Sequence, residues 1–189
     1  ESMFSGSAIN QDISSWDVSS GTDFAYMFFK ASDFNQDIGN WDVGNGTTFK
    51  RMFALSAFNQ DISSWDVSKG TDFSEMFTNA TDFNQDIGSW EVSSGEDFHS
   101  MFSLATNFNQ DIGDWDVSKG NNFAYMFYEA DSFDQDIGSW DVSNGTDFSN
   151  MFNGAEEFNQ DIGSWDVSNG TDFSYMFYEA SEFDQDLSE

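Results

Sequence analysis

Carboxylates are the groups of this chain best able to do chemistry, and they recur at fixed intervals. Asp12, Asp37, Asp61, Asp86, Asp111, Asp136, Asp161 and Asp186 form one set. Asp17, Asp42, Asp66, Glu91, Asp116, Asp141 and Asp166 form a second, shifted along the chain by a constant offset. If the segments carrying them stack in register, like charges come to lie about 5 Å apart and repel by ~1 kcal/mol per neighbour in water. Two arrangements offset that cost. In one, a divalent cation is held between segments by carboxylates and loop carbonyls, which makes the first set candidate calcium ligands. In the other, each Asp accepts backbone N–H bonds in a turn while solvent screens the charge. The first set precedes a strand-like run and so sits in a loop, which favours turn capping. The second set alternates with Trp and Val and is expected to face solvent as a charged surface that resists aggregation.

Other reactive groups are scarce. The chain has one histidine, His99, no cysteine, and neither a Gly-rich phosphate loop nor a metal-spaced His pair. An active site is a single asymmetric constellation, whereas these carboxylates repeat alike along the chain. The expectation is therefore a non-enzymatic protein without a cofactor, calcium aside. Gln11, Gln36, Gln60, Gln85, Gln110, Gln135, Gln160 and Gln185 recur as regularly, and stacked amides of that kind are expected to form a structural hydrogen-bonded ladder. A Thr set (Thr22, Thr47, Thr71, Thr146, Thr171) is broken by Glu96 and Asn121, which suits capping better than ice binding. Tyr26, Tyr125, Tyr128, Tyr175 and Tyr178 occur in some units only; exposed, they would favour protein or sugar contacts. Asn45, Asn79, Asn144 and Asn169 each open an Asn-x-Thr pattern, the acceptor pattern for N-glycosylation.

Composition limits the partners. With 35 acidic and 5 basic residues the formal net charge is −30, so phosphate backbones and anionic membrane surfaces are repelled. So acidic a chain would read as disordered if it lacked aromatics. Here 23 Phe and 7 Trp among 189 residues demand burial, and the acidic groups must then lie outside a packed core. No apolar run reaches membrane-spanning length.

The positioning framework is an internal repeat. Trp16, Trp41, Trp65, Trp90, Trp115, Trp140 and Trp165 mark a period of about 25 residues, and all 8 Met residues sit in Met-Phe pairs from Met3-Phe4 to Met176-Phe177. Within each unit, Trp41-Asp42-Val43 has the alternation of a strand. Gly46 and its equivalents (Gly21, Gly70, Gly95, Gly120, Gly145, Gly170) follow and are expected to allow a positive φ. Phe24, Met27, Phe28 and Ala31 then fall at i, i+3, i+4 and i+7, one face of a short helix capped by Thr22 or Asp23. These elements predict an α/β repeat solenoid, leucine-rich-repeat-like, with one short parallel strand, a Gly turn, a short helix and a return loop per coil. The alternative is an all-β solenoid, in which the Phe-to-Met segment is a third strand or an irregular turn. Trp and Gln become structural ladders in either case.

The run Phe-Asn-Gln-Asp-Ile-x-x-Trp-Asp-Val-Ser, followed by Met-Phe and Ala, resembles the bacterial surface-protein repeat of BspA-like proteins and of mycoplasma and listerial lipoproteins. That resemblance covers essentially the whole chain. It implies a leucine-rich-repeat-like fold, an extracellular or cell-surface location and a non-enzymatic role, adhesive where a role is assigned. This chain differs from such repeats in placing Gly and Phe24 where Val and Met are frequent. Residues 1–189 are expected to form a single solenoid of about seven and a half units, uncapped at both ends. The leading functional expectation is a structural or adhesive region of a surface protein, contacting neighbouring repeats or a host protein or glycan. The alternatives are a protomer that polymerises end to end and a cation-dependent carbohydrate-binding module.

Overall fold

A computed structural model describes residues 2–187; the mid-unit ends at Glu1 and at Ser188-Glu189 fall outside the described residues. The chain winds into coils of one repeat each, and each coil is hydrogen-bonded in register to the next. The bonding pattern is set in the segment beginning at Thr22. Thr47 N donates to Thr22 O at 2.8 Å, and Phe24, Tyr26, Phe28 and Lys30 donate in turn to Thr48, Lys50, Met52 and Ala54 O at 2.8–3.0 Å. The N–H groups between them turn inward: Met27, Phe29 and Ala31 donate to Phe24, Tyr26 and Phe28 O at 2.9–3.2 Å. Alternate donors thus serve the neighbouring coil and the local turn, which satisfies the backbone without a helix.

The helix expected over Phe24, Met27, Phe28 and Ala31 is therefore absent, and no helix exists among the described residues. The α/β solenoid reading is wrong. Trp41-Asp42-Val43 is not a strand either. Strand-like pairing among the described residues is confined to isolated parallel bridges running Asp23, Thr48, Asp72, Asp97, Asn122, Asp147 and Asp172, so a continuous all-β arrangement fails as well. The physical reason is spacing. Equivalent rings in successive coils, such as Phe24 and Phe49, lie 5.6 Å apart, whereas a helix with its side chains needs about 10 Å. Coils stacked this closely have no room for one.

In place of the helix stand consecutive turns with positive φ at two positions per coil. One column is Ser2, Tyr26, Arg51, Glu75, Ser100, Tyr125, Asn150 and Tyr175, with φ of 51–58°. The other is Gly6, Lys30, Leu55, Asn79, Leu104, Glu129, Gly154 and Glu179, with φ of 49–72°. From Gly6 and Tyr26 onward each is the third residue of its turn, where a type II turn requires φ > 0. The Gly120 column, expected to carry the positive φ, does not carry it. Glycine is needed there for room: a Cβ on Gly120 would lie 2.5 Å from Phe123 Cζ and 3.0 Å from Val117 O.

Apolar side chains at i, i+3, i+4 and i+7 point inward all the same, and they build a core that runs the length of the stack. Phe28 lies face to face with Phe34 of its own coil at 3.9 Å and with Phe53 of the next at 5.6 Å. That pattern recurs to Phe152 and Phe158. Trp90, Trp115, Trp140 and Trp165 stack at 6.4–6.5 Å. Each buried ring contributes about 1.5–3 kcal/mol of transfer free energy, with ~0.5–1.5 kcal/mol more per well-oriented aromatic pair.

Candidate functional site

Every acidic column is placed by a turn. In the first, Asp12, Asp37, Asp61, Asp86, Asp111, Asp136 and Asp161 each accept at Oδ1 the backbone N–H two residues ahead, at 2.9–3.0 Å. Asp186, the last of that set, lies exposed in the final described coil. In the second, Asp17, Asp42, Asp66, Asp116, Asp141 and Asp166 do the same at 3.0–3.1 Å. A third column, expected only as helix caps, caps turns: Asp23, Asp72, Asp97, Asp147 and Asp172 accept from Ala25, Ser74, His99, Ser149 and Ser174 N at 2.8–3.0 Å. The Ser hydroxyl and then the Ser N–H hold Asp12, Asp17, Asp66, Asp116, Asp141 and Asp166 below the ordinary carboxylate range; at Asp61 the N–H leads. For Asp141, repulsion from Asp116 and Asp166 is the smallest influence, so local bonding outweighs stacking of like charge. Among the described residues no three His, Cys, Asp or Glu side chains converge in a way that could hold a metal ion.

Amides and indoles tie coil to coil. Asn84 Oδ1 accepts from Asn109 N at 3.0 Å and from Gln110 Nε2 at 2.8 Å. The same pair of bonds joins Gln36 to Asn10, Gln60 to Asn35, Gln85 to Asn59 and Gln135 to Asn109. Gln160 donates likewise to Asp134, where an aspartate takes the amide's place. Trp41, Trp65, Trp90, Trp115, Trp140 and Trp165 each donate Nε1–H to an Ile carbonyl of the preceding coil, at 3.0–3.2 Å. Trp16, in the first coil, is 41 % exposed. The glycosylation-pattern Asn45, Asn144 and Asn169 donate Nδ2 to Ser19, Ser118 and Ser143 O at 2.8 Å.

A different character belongs to the edge formed by the two positive-φ columns and their neighbours. Side chains there change from coil to coil. Arg51 packs over the Tyr26 and Phe29 rings at 5.6 and 5.7 Å and pairs with Glu75. Lys30 lies 5.0 Å over Phe29. His99 meets Tyr125 edge-on at 5.8 Å, and Tyr125 pairs with Tyr128 at 5.6 Å. Further on, Asp131 is pushed above the ordinary carboxylate range by partial burial and then by the charges of Glu156, Glu129 and Glu157. Leu55 and Tyr125 are exposed on this edge. The sequence signals it only as the positions where the repeat fails to repeat; the varying Tyr residues mark it and the charge pairs do not.

No curated protein and no solved structure matches the chain significantly. A family model described as "Mycoplasma protein of unknown function, DUF285" matches residues 1–72, 54–133 and 111–189 in three overlapping passes. Those passes together span every repeat, and the chain belongs to the DUF285 repeat family.

Proposed function

We propose that this chain is a non-enzymatic structural or adhesive repeat region of an extracellular or cell-surface protein. One observation supports this most: the residues repeated in every coil are spent on intramolecular bonds, while much of the variation in size and charge lies on one exposed edge. Asp, Asn, Gln, Trp and Gly each have a turn, a neighbouring carbonyl or a ring to satisfy. A scaffold of fixed coils with a variable edge suits recognition of a surface better than turnover of a substrate. The chain coupled to inert beads is expected to retain cells, matrix proteins or glycans, and to lose that capacity when Tyr125 and Tyr128 are replaced by Ser. Retention unchanged by those replacements contradicts the adhesive reading.

A filament is the second reading. Every coil offers the next the same backbone and amide bonds, a pattern that extends by addition of further coils. Electron microscopy of the chain at native salt separates the readings. Long fibres are the outcome for polymerisation; isolated short rods count against it. A cation-dependent carbohydrate module is the third reading, supported by the regular carboxylates alone. A melting temperature identical with calcium and with chelator, at matched ionic strength, excludes a structural ion.

A further inference from the structure

The edge that varies between coils is also electrically lopsided. In a chain of net charge −30, three of the five cations, Lys30, Lys50 and Arg51, fall on this edge in the second and third coils, with the exposed Asp33 beside them. The sixth and seventh coils place Glu129, Asp131, Glu156 and Glu157 there, close enough for the three glutamates to perturb Asp131. Arg51 already has Glu75 as partner, whereas Lys30 is exposed, and so are Glu156 and Glu157. At ~4.8 Å per coil the two patches lie about 20 Å apart. That exceeds the Debye length of ~8 Å at physiological salt, so each patch responds to what lies opposite it and not to the other. The edge also carries exposed Leu55, in the same coil as Lys50, and the half-exposed Leu104 between the two patches.

We propose that this edge is a self-recognition surface on which a second copy docks side by side and antiparallel, its acidic coils facing Lys30 and Lys50 and its basic coils facing Glu156 and Glu157. A two-fold arrangement satisfies both patches at once and leaves Leu104 near the axis, and an isologous contact of this kind closes at two subunits. Parallel pairing would set each patch against its like. Elsewhere only Lys69 and Lys119 interrupt the exposed carboxylates, so no other face offers opposite charges grouped at its two ends. Lateral pairing is independent of adhesion and of end-to-end growth: it stops at a dimer, whereas head-to-tail stacking continues.

Sedimentation equilibrium of the whole chain tests it. At about 0.15 M salt and 100 µM chain, the dimer mass is expected, falling towards the monomer in 1 M salt. Lys30→Glu with Lys50→Glu, and separately Glu156→Lys with Glu157→Lys, should each weaken self-association at least tenfold while leaving the thermal melt intact. Mixing the two variants restores a dimer, because each heterodimer then regains both opposite-charge contacts. A monomeric wild type at that concentration, or a mixture no more dimeric than its components, overturns the proposal. A series of masses growing beyond the dimer, unaffected by these charges, overturns it in favour of end-to-end growth.

Discussion

Two residue types carry the conformational constraint of each coil, and they behave oppositely on substitution. At Gly120 the limit is space, so Gly120→Ala drives a methyl into Phe123 and is expected to cost about 1–3 kcal/mol. At Leu55, with φ of 59°, the limit is the backbone. Leu55→Gly should be tolerated without loss, because it relieves a left-handed conformation costing ~1–2 kcal/mol for a side-chain-bearing residue. Leu55→Val should lower stability by a similar amount, since a branched Cβ fits that region worst. Urea titrations of the three variants check this ordering. Protonation supplies a second test. Asp12, Asp17, Asp61, Asp66, Asp116, Asp141 and Asp166 have folded-state pKa values below the ordinary aspartate value of 3.8. Their contribution is present above that value and is lost as the pH falls through the depressed folded-state range. Asp131 has the opposite sign, because its folded form holds a proton more readily than the unfolded one. Asp131→Asn should raise the melting temperature at pH 7 by about 1 °C, after discounting for solvent. That gain should vanish below pH ~3.8.

At the scale of the element, the coil is held by bonds that cross from one repeat to the next. Asn84→Ala removes the acceptor shared by Asn109 N and Gln110 Nε2 and should cost about 1–3 kcal/mol. Asn84→Asp should preserve stability at neutral pH, because Asp134 accepts the same two bonds in its own coil. Calorimetry of the pair distinguishes a lost acceptor from a lost amide. Much of this was legible beforehand. The period, the inward-facing apolar positions and the repeated Trp and Gln could be read because they depend only on which side chains recur. The helix was misread because Phe24, Met27, Phe28 and Ala31 face one side in a helix and in this run of turns alike. What separates the two is where Tyr26 N and Phe28 N donate, and no side-chain pattern records that. The positive φ was assigned to Gly46 for a related reason: glycine advertises both conformational freedom and lack of bulk, and the sequence does not say which is in use. The variable edge was visible only in part, since Arg51 and Glu75, one repeat apart in the same column, meet only once consecutive coils stack in register.

For the molecule as a whole, the consequence is a rigid aromatic interior wrapped in acidic turns, with one edge free to differ. Coils in contact only with their neighbours make stability a sum of repeat and interface contributions. A Phe102→Ala change in the middle of the stack removes a fully buried ring that pairs with Phe77, Phe108 and Phe127. It is expected to cost about 3–5 kcal/mol and to split the unfolding transition in two, as read by hydrogen exchange along the chain. The central claim is that alternate N–H groups of the Phe-to-Ala segment donate to the next coil while those between them close local turns, and none donates four residues back as in a helix. Hydrogen-bond scalar couplings measured by NMR on deuterated chain test it most directly. Tyr125 N–H should couple to the Ser149 carbonyl and Phe127 N–H to that of Met151. Couplings from those amides to carbonyls four residues earlier in the same repeat would restore the helix and contradict this account.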